Sequence, residues 1–207
     1  MKLNTDAETM MSDNTSAGAA PWTNGIARWS WWISLILILS GFALSVVAGS
    51  LRPDDAFALL YVAIGALGMT IVFRVPDNPV GWLLLGSGVL AAIQTLATGT
   101  ADVLLTARAD DPILGFGAAL FSVAAWPVIT FLPLIPVLLV FPDGALLSPR
   151  WRVVMGLASF GIAGTAVGLF VHDDPDGDGS RWGVRNPLAN DFSETWLAVT
   201  FSLVLIS

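Results

Sequence analysis

Three aspartates at alternate positions, Asp174, Asp176 and Asp178, followed by Gly179, come closest of any residues in this sequence to a recognisable chemical pattern. D-x-D-x-D-G opens a calcium loop, in which hard carboxylate oxygens surround a divalent cation. A twelve-residue loop of that kind needs a bidentate glutamate at its last position, and Arg185 stands there instead. Asp173 and Ser180 lie alongside, so the metal reading reduces to weak divalent-ion binding; the simpler expectation is a solvated acidic loop. His172 opens the same segment and is the single histidine of the chain, which excludes multi-histidine metal centres. A histidine at a helix end can sense pH, but no carboxylate partner is assignable from the sequence, so an interfacial structural role is expected. There are no cysteines, hence no disulfide, thiolate or cysteine-type zinc chemistry. No nucleophile–base arrangement, glycine-rich phosphate loop or ligand cluster is visible. The expectation is therefore no catalytic residue, no cofactor and no enzyme in the chain as it stands. A basic nucleic-acid footprint is also absent.

The surrounding elements explain why so little polar chemistry is present. Of 207 residues, 55% are hydrophobic and 12% charged, against about 25% charged in an average soluble domain. Mean hydropathy is +0.75. Nine Trp against one Tyr fit interfacial aromatic belts. The reading is an all-α, polytopic integral membrane protein with the lipid bilayer as its main partner. Residues 1–27 are polar and read as a disordered cytoplasmic tail; 28–207 read as one transmembrane helical domain. A spanning helix needs roughly 20 mostly apolar residues. Such runs occur at about 31–51, 56–73, 80–98, 113–140 and 153–171. A sixth, 195–207, is too short to cross and is expected to be incomplete. Trp29, Trp31 and Trp32 mark the entry to the first helix. Pro127, Pro133 and Pro136 predict a kinked or locally unwound fourth helix. No Asp, Glu, Lys or Arg is expected mid-helix, which counts against an ion pump or proton relay.

With the N-terminus cytoplasmic, Lys2, Arg28, Arg74, Arg150 and Arg152 lie inside, and Arg52, Arg108, Arg181 and Arg185 outside. Five against four is a small positive-inside bias, and it sets the expected topology in the plasma membrane. Small-residue faces occur at Gly164 and Gly168 (with Gly161) and at Gly41, Ser45 and Gly49. Faces of this kind let helix backbones approach closely. They serve packing within one chain or, as the alternative, a homodimer interface.

Two loops on the predicted inner face carry a more specific signal. Residues 74–85 read RVPDNPVGWLLL, with Asn78, Pro79, Gly81 and Trp82 at the centre. Residues 141–152 read FPDGALLSPRWR. In the second, Pro142, Asp143 and Gly144 form a turn after Phe141, and Ser148 before Pro149 reads as an N-cap with proline in the first helical position. Arg150, Trp151 and Arg152 then read as membrane-surface anchors. This ordered pair resembles the membrane-embedded N-terminal region of actinobacterial sensor histidine kinases, in which P-x-NPVGWLLL precedes FPDGRLPSPRWR. Asn186-Pro187-Leu188 partly echoes a later Asn-Pro-Leu-Gly element, with Ala189 where glycine is usual; Ala145 likewise replaces an arginine.

The resemblance covers about residues 30–207. It implies a transmembrane sensor whose phosphoacceptor-histidine and ATP-binding parts are not among these residues; His172 lies in the predicted outer loop and is not that histidine. It also suggests that the two loops pack together, with Asp77 or Asp143 pairing with Arg150 or Arg152. The other readings are a stand-alone small membrane protein with a partner or assembly role, and a small-molecule transporter or channel, for which Gln94 and the proline-rich fourth helix are the sequence features on offer.

Overall fold

The computed structural model describes residues 21–107, 112–141, 144–146, 148–173, 181–182, 186–190 and 192–206. These form six helices: α1 (Pro21–Ala48), α2 (Phe57–Arg74), α3 (Pro79–Asp102), α4 (Pro112–Val140), α5 (Trp151–Phe170) and α6 (Phe192–Ile206). A short 3-10 turn, Pro53–Ala56, leads into α2, and a π-helical segment, Val103–Ala107, continues α3. No strand occurs among the described residues. Five helices are long and apolar enough to cross a bilayer, and α6, at 15 residues, is shorter. At 1.5 Å per residue α6 extends about 22 Å, below the roughly 30 Å of hydrocarbon. The all-α polytopic membrane architecture expected from composition is thus the one observed.

The helices alternate in direction, so the bundle has two ends. The 75–78 and 141–150 connections lie at one, and the 49–56 and 171–191 connections at the other. α3 is the hub: it packs against α1, α2 and α4, while α5 joins through α4 and α6 through α5. The reason is its run of small residues. A Cβ on Gly99 would strike the Gly41 carbonyl of α1, and a Cβ on Gly41 would sit 2.6 Å from the Thr95 carbonyl carbon. Two backbones therefore touch where α1 crosses α3. Gly161, Gly164 and Gly168 are consumed in the same way: Cβ atoms there would meet Val204, Thr200 and Leu197 of α6. The indole N–H of Trp196 donates to the Gly164 carbonyl at 2.7 Å. Of the two uses expected for these faces, packing within one chain is observed. Within the chain, Gly164, Gly168, Gly41 and Ser45 are packed against neighbouring helices, whereas a Cβ on Gly49 would meet nothing within 4 Å.

Several sequence expectations are corrected. Residues 21–27 are the first turns of α1, not tail; Ala27 is fully buried against Val72 and Leu85. This moves Trp31 about 15 Å into the helix, where its indole N–H donates across to the Val62 carbonyl at 3.1 Å instead of marking an entry. Helix three does not stop at Thr98. Thr95, Thr98 and Thr100 return their hydroxyl protons to the carbonyls four residues back, which makes a polar stretch compatible with a buried helix. α4 is helical throughout, so the local unwinding expected at its three prolines does not occur; Pro127 and Pro136 are buried. α5 begins at Trp151 with no side-chain cap. Ser148 and Pro149 instead form a turn whose carbonyls accept from Trp151 at 3.1 Å and Arg152 at 3.2 Å.

Candidate functional site: a buried charge clamp above a membrane-depth cleft

At the end of the bundle that carries the 171–191 connection, three segments far apart in sequence meet around one guanidinium. The first is the end of α1. Gly49, at φ 69°, takes the left-handed conformation that glycine tolerates best. Ser50 N–H then donates to the Ser45 carbonyl and Gly49 N–H to the Val46 carbonyl, each at 3.0 Å. This is a Schellman closure, and it turns the Ser50 carbonyl toward Arg181 (3.2 Å). The second segment is the 3-10 turn. The Asp55 carboxylate accepts from its own N-cap, Arg52 N–H, at 2.7 Å, half of a capping box. That bond fixes the carboxylate so that it also accepts from Arg181 Nη1 at 2.6 Å and Nη2 at 3.1 Å. The third is the end of α3, where the Asp102 carboxylate accepts from Arg181 Nε and Nη2, both at 2.7 Å, and from the Trp182 indole N–H at 2.9 Å. The Ser45 hydroxyl adds a further hydrogen bond to Asp102.

The Asp102 side chain is 0% exposed, Arg181 6% and Asp55 12%. All three guanidinium nitrogens donate to at least one of these acceptors. Burial alone would favour the uncharged guanidine. Hydrogen bonds from Asp102 and Asp55, together with their charges, outweigh it and hold the Arg181 pKa above arginine's ordinary value. The arginine is therefore a permanent cation that fastens the α5–α6 connection to the start of α2 and the end of α3. The π-helical segment begins immediately after Asp102, and the Thr106 hydroxyl donates to the Asp102 carbonyl. Widened turns of this type re-aim side chains and recur at functional sites.

Beneath the clamp lies a cavity of about 1010 Å³ between α2 and α4, floored by α3. Asp54, Asp55, Arg181 and Trp182 line the end near the clamp, Gln94, Thr95 and Thr98 the floor, and Tyr61, Ser122 and Trp126 the flanks. The Gln94 amide donates to the Ser122 carbonyl at 2.8 Å, bridging α3 to α4.

Sequence reasoning missed the clamp. It placed Arg181 in an outer loop and ended the third apolar run at 98, which leaves Asp55 and Asp102 between helices. Asp102 is in fact buried within the third apolar span, Pro79–Thr106. A usable signal was present: Asp102 is the lone charge in that span, and Arg181-Trp182 is a cation–indole pair within a connection that carries five aspartates and one other arginine, Arg185.

The residues that the sequence did single out lie at the opposite end. Asn78 caps α3 by accepting from Val80 N–H at 2.9 Å, with Pro79 in the first helical position. Gly81 fits against Ile71 and Val72 of α2. The Trp82 indole N–H donates to the Pro76 carbonyl at 2.8 Å, closing the loop on itself. Phe141 is exposed, as are Pro149, Arg150, Trp151 and Arg152. Gly144 ends α4 in the left-handed region at φ 75°, its N–H donating to the Val140 carbonyl at 2.7 Å. A Cβ there would strike Pro79 and lie 3.2 Å from the Asn78 carboxamide oxygen. The two loops therefore do meet, through backbone against a proline ring. Among the described residues, Asp77 forms no ion pair with Arg150 or Arg152. Pro142, Asp143, Asp174, Asp176 and Asp178 lie outside the described residues. Asn186, which the sequence placed in an echo of Asn-Pro-Leu-Gly, is 4% exposed and terminates α5: its amide donates to the Phe170 and His172 carbonyls, both at 2.9 Å, and its oxygen accepts from Leu188 N–H.

No family model, no curated protein and no solved structure matches this chain.

Proposed function

We propose that this chain is the membrane-embedded sensing region of a histidine-kinase-like signalling protein, with its N-terminus and the 75–78 and 141–150 connections on the cytoplasmic side of the plasma membrane. The observation that carries the reading is the seating of Gly144 on Asn78 and Pro79. It joins, at one end of the bundle, the two loops whose sequences together resemble sensor kinases. α3 runs from that junction to Asp102, so the clamp and the loop pair sit at opposite ends of one rigid element. A stimulus that displaces the α5–α6 connection pulls on the end of α3 and shifts the loop pair, where an output domain outside these 207 residues would read the movement.

The test is phosphorylation in membrane vesicles from the source cell, with this gene tagged at its own locus. With ATP, acid-labile phosphohistidine is expected on the captured polypeptide or on a co-purifying one, at a level that changes in Arg181→Gln. Absence of phosphohistidine from both, or a level indifferent to Arg181→Gln, overturns the proposal.

A further inference from the structure

We propose that the cleft between α2 and α4 binds a lipophilic amine, with its protonated nitrogen near Asp54 and the floor of α3 and its apolar tail running along the cleft toward Leu134. This goes beyond the signalling proposal and does not depend on it.

The argument rests on what the cleft has left to offer. Its donors are almost all committed to the protein. Arg181 donates to Asp55, Asp102 and Ser50, and Trp182 to Asp102. Thr95, Thr98 and Ser122 donate to carbonyls of their own helices. Gln94 donates to the Ser122 carbonyl. Its carboxamide oxygen accepts from no described residue, and the threonine oxygens keep lone pairs that can accept. The Tyr61 and Thr130 hydroxyls bond no described residue and can also accept. The Asp54 carboxylate lies exposed at the mouth and forms no ion pair among the described residues. The cleft is thus rich in acceptors and carries unbalanced negative charge, since Arg181 is already shared by two carboxylates. A carboxylate or phosphate ligand would meet repulsion and find few free N–H groups. An ammonium supplies up to three donors and one positive charge, and the Tyr61 and Trp182 rings offer it aromatic faces.

The tail follows from the walls. Leu60, Trp126 and Leu134 stand 56%, 46% and 52% exposed beside the opening, so the cleft communicates sideways with the hydrocarbon from which an amphiphile would enter. Ile129 and Ala91, nearly fully buried, make its base. The volume of 1010 Å³ matches the upper range for small-molecule sites, about 300–1,000 Å³. Arg181 and Trp182 line the end nearest the clamp.

The experiment uses the full chain in neutral-lipid nanodiscs with three photoreactive diazirine probes that share one alkyl tail and differ in head group: primary amine, alcohol and carboxylate. The amine probe is expected to label α2 and α4 residues facing the cleft, in competition with unlabelled dodecylamine. Asp54→Asn combined with Tyr61→Phe removes a charge and an uncommitted hydroxyl acceptor, lowering amine labelling about tenfold while leaving alcohol labelling and the melting temperature unchanged. Equal labelling by all three probes would show only a lipid-filled groove and would overturn the proposal. Amine labelling indifferent to the double variant, or no labelling because a further transmembrane segment covers the cleft, overturns it equally.

Discussion

Replacing Arg181 by glutamine tests whether the clamp is a buried ionic lock or an incidental surface contact. The guanidinium holds two carboxylates with four hydrogen bonds of 2.6–3.1 Å and a carbonyl with a fifth at 3.2 Å. Glutamine keeps an amide donor but removes the charge, leaving Asp102 buried at 0% exposure with no cation beside it. Removing one partner of a buried pair costs about 3–5 kcal/mol, chiefly through the uncompensated charge left behind. Asp55, with some access to water, is relieved more easily. Asp102→Asn in the same background removes the orphaned charge. The double variant should therefore recover part of the loss, with a coupling of about 1–3 kcal/mol. Arg181→Lys should fall between, because a single ammonium cannot fork across two carboxylates. Reversible unfolding in mixed micelles, titrated with denaturing detergent, measures all five proteins: wild type, Arg181→Gln, Asp102→Asn, the double variant and Arg181→Lys. A loss below about 1 kcal/mol for Arg181→Gln, the range of exposed pairs, or strict additivity in the double variant, would refute the account.

Gly144→Ala should destabilise by about 2 kcal/mol, combining a left-handed backbone with a methyl group driven into Pro79; a smaller change in the same titration would show that the loop pair is loosely seated. Asn78→Ala removes the α3 N-cap bond to Val80 N–H and should cost about 1 kcal/mol. Asn186→Ala strips two carbonyls at the end of α5 of their donor. It should cost about 2 kcal/mol and speed amide hydrogen exchange across residues 168–173 and 186–190, with the α1–α3 crossing unaffected.

The spans were legible because their signal is bulk hydrophobicity over some twenty residues, which needs no knowledge of partners. Loop ends were legible where local chemistry decides, as at Asn78-Pro79 and at Gly144. The clamp was not legible for the opposite reason. An aspartate reads as solvated unless its counter-ion is known, and the partner of Asp102 lies 79 residues away. Trp31 misled in a related way: a tryptophan near an apolar boundary looks like a headgroup anchor, and only the Val62 carbonyl on another helix shows it to be internal. The start of α1 was misjudged because 21–27 contains polar residues, and the burial of Ala27 depends on α2 and α3.

The spacing of the clamp residues along the chain also sets an order of assembly. Asp55 and Asp102 leave the ribosome 126 and 79 residues before Arg181. Until Arg181 is made, Asp102 lacks the cation that it is paired with in the folded chain, and burying it uncompensated would be costly. The end of α3 reaches its final contacts only once the α5–α6 connection has been made and delivers its arginine. Insertion of the first half of the protein is thereby completed by its second half, and a nascent chain halted before residue 181 would present a carboxylate that membrane quality control can recognise as unfinished.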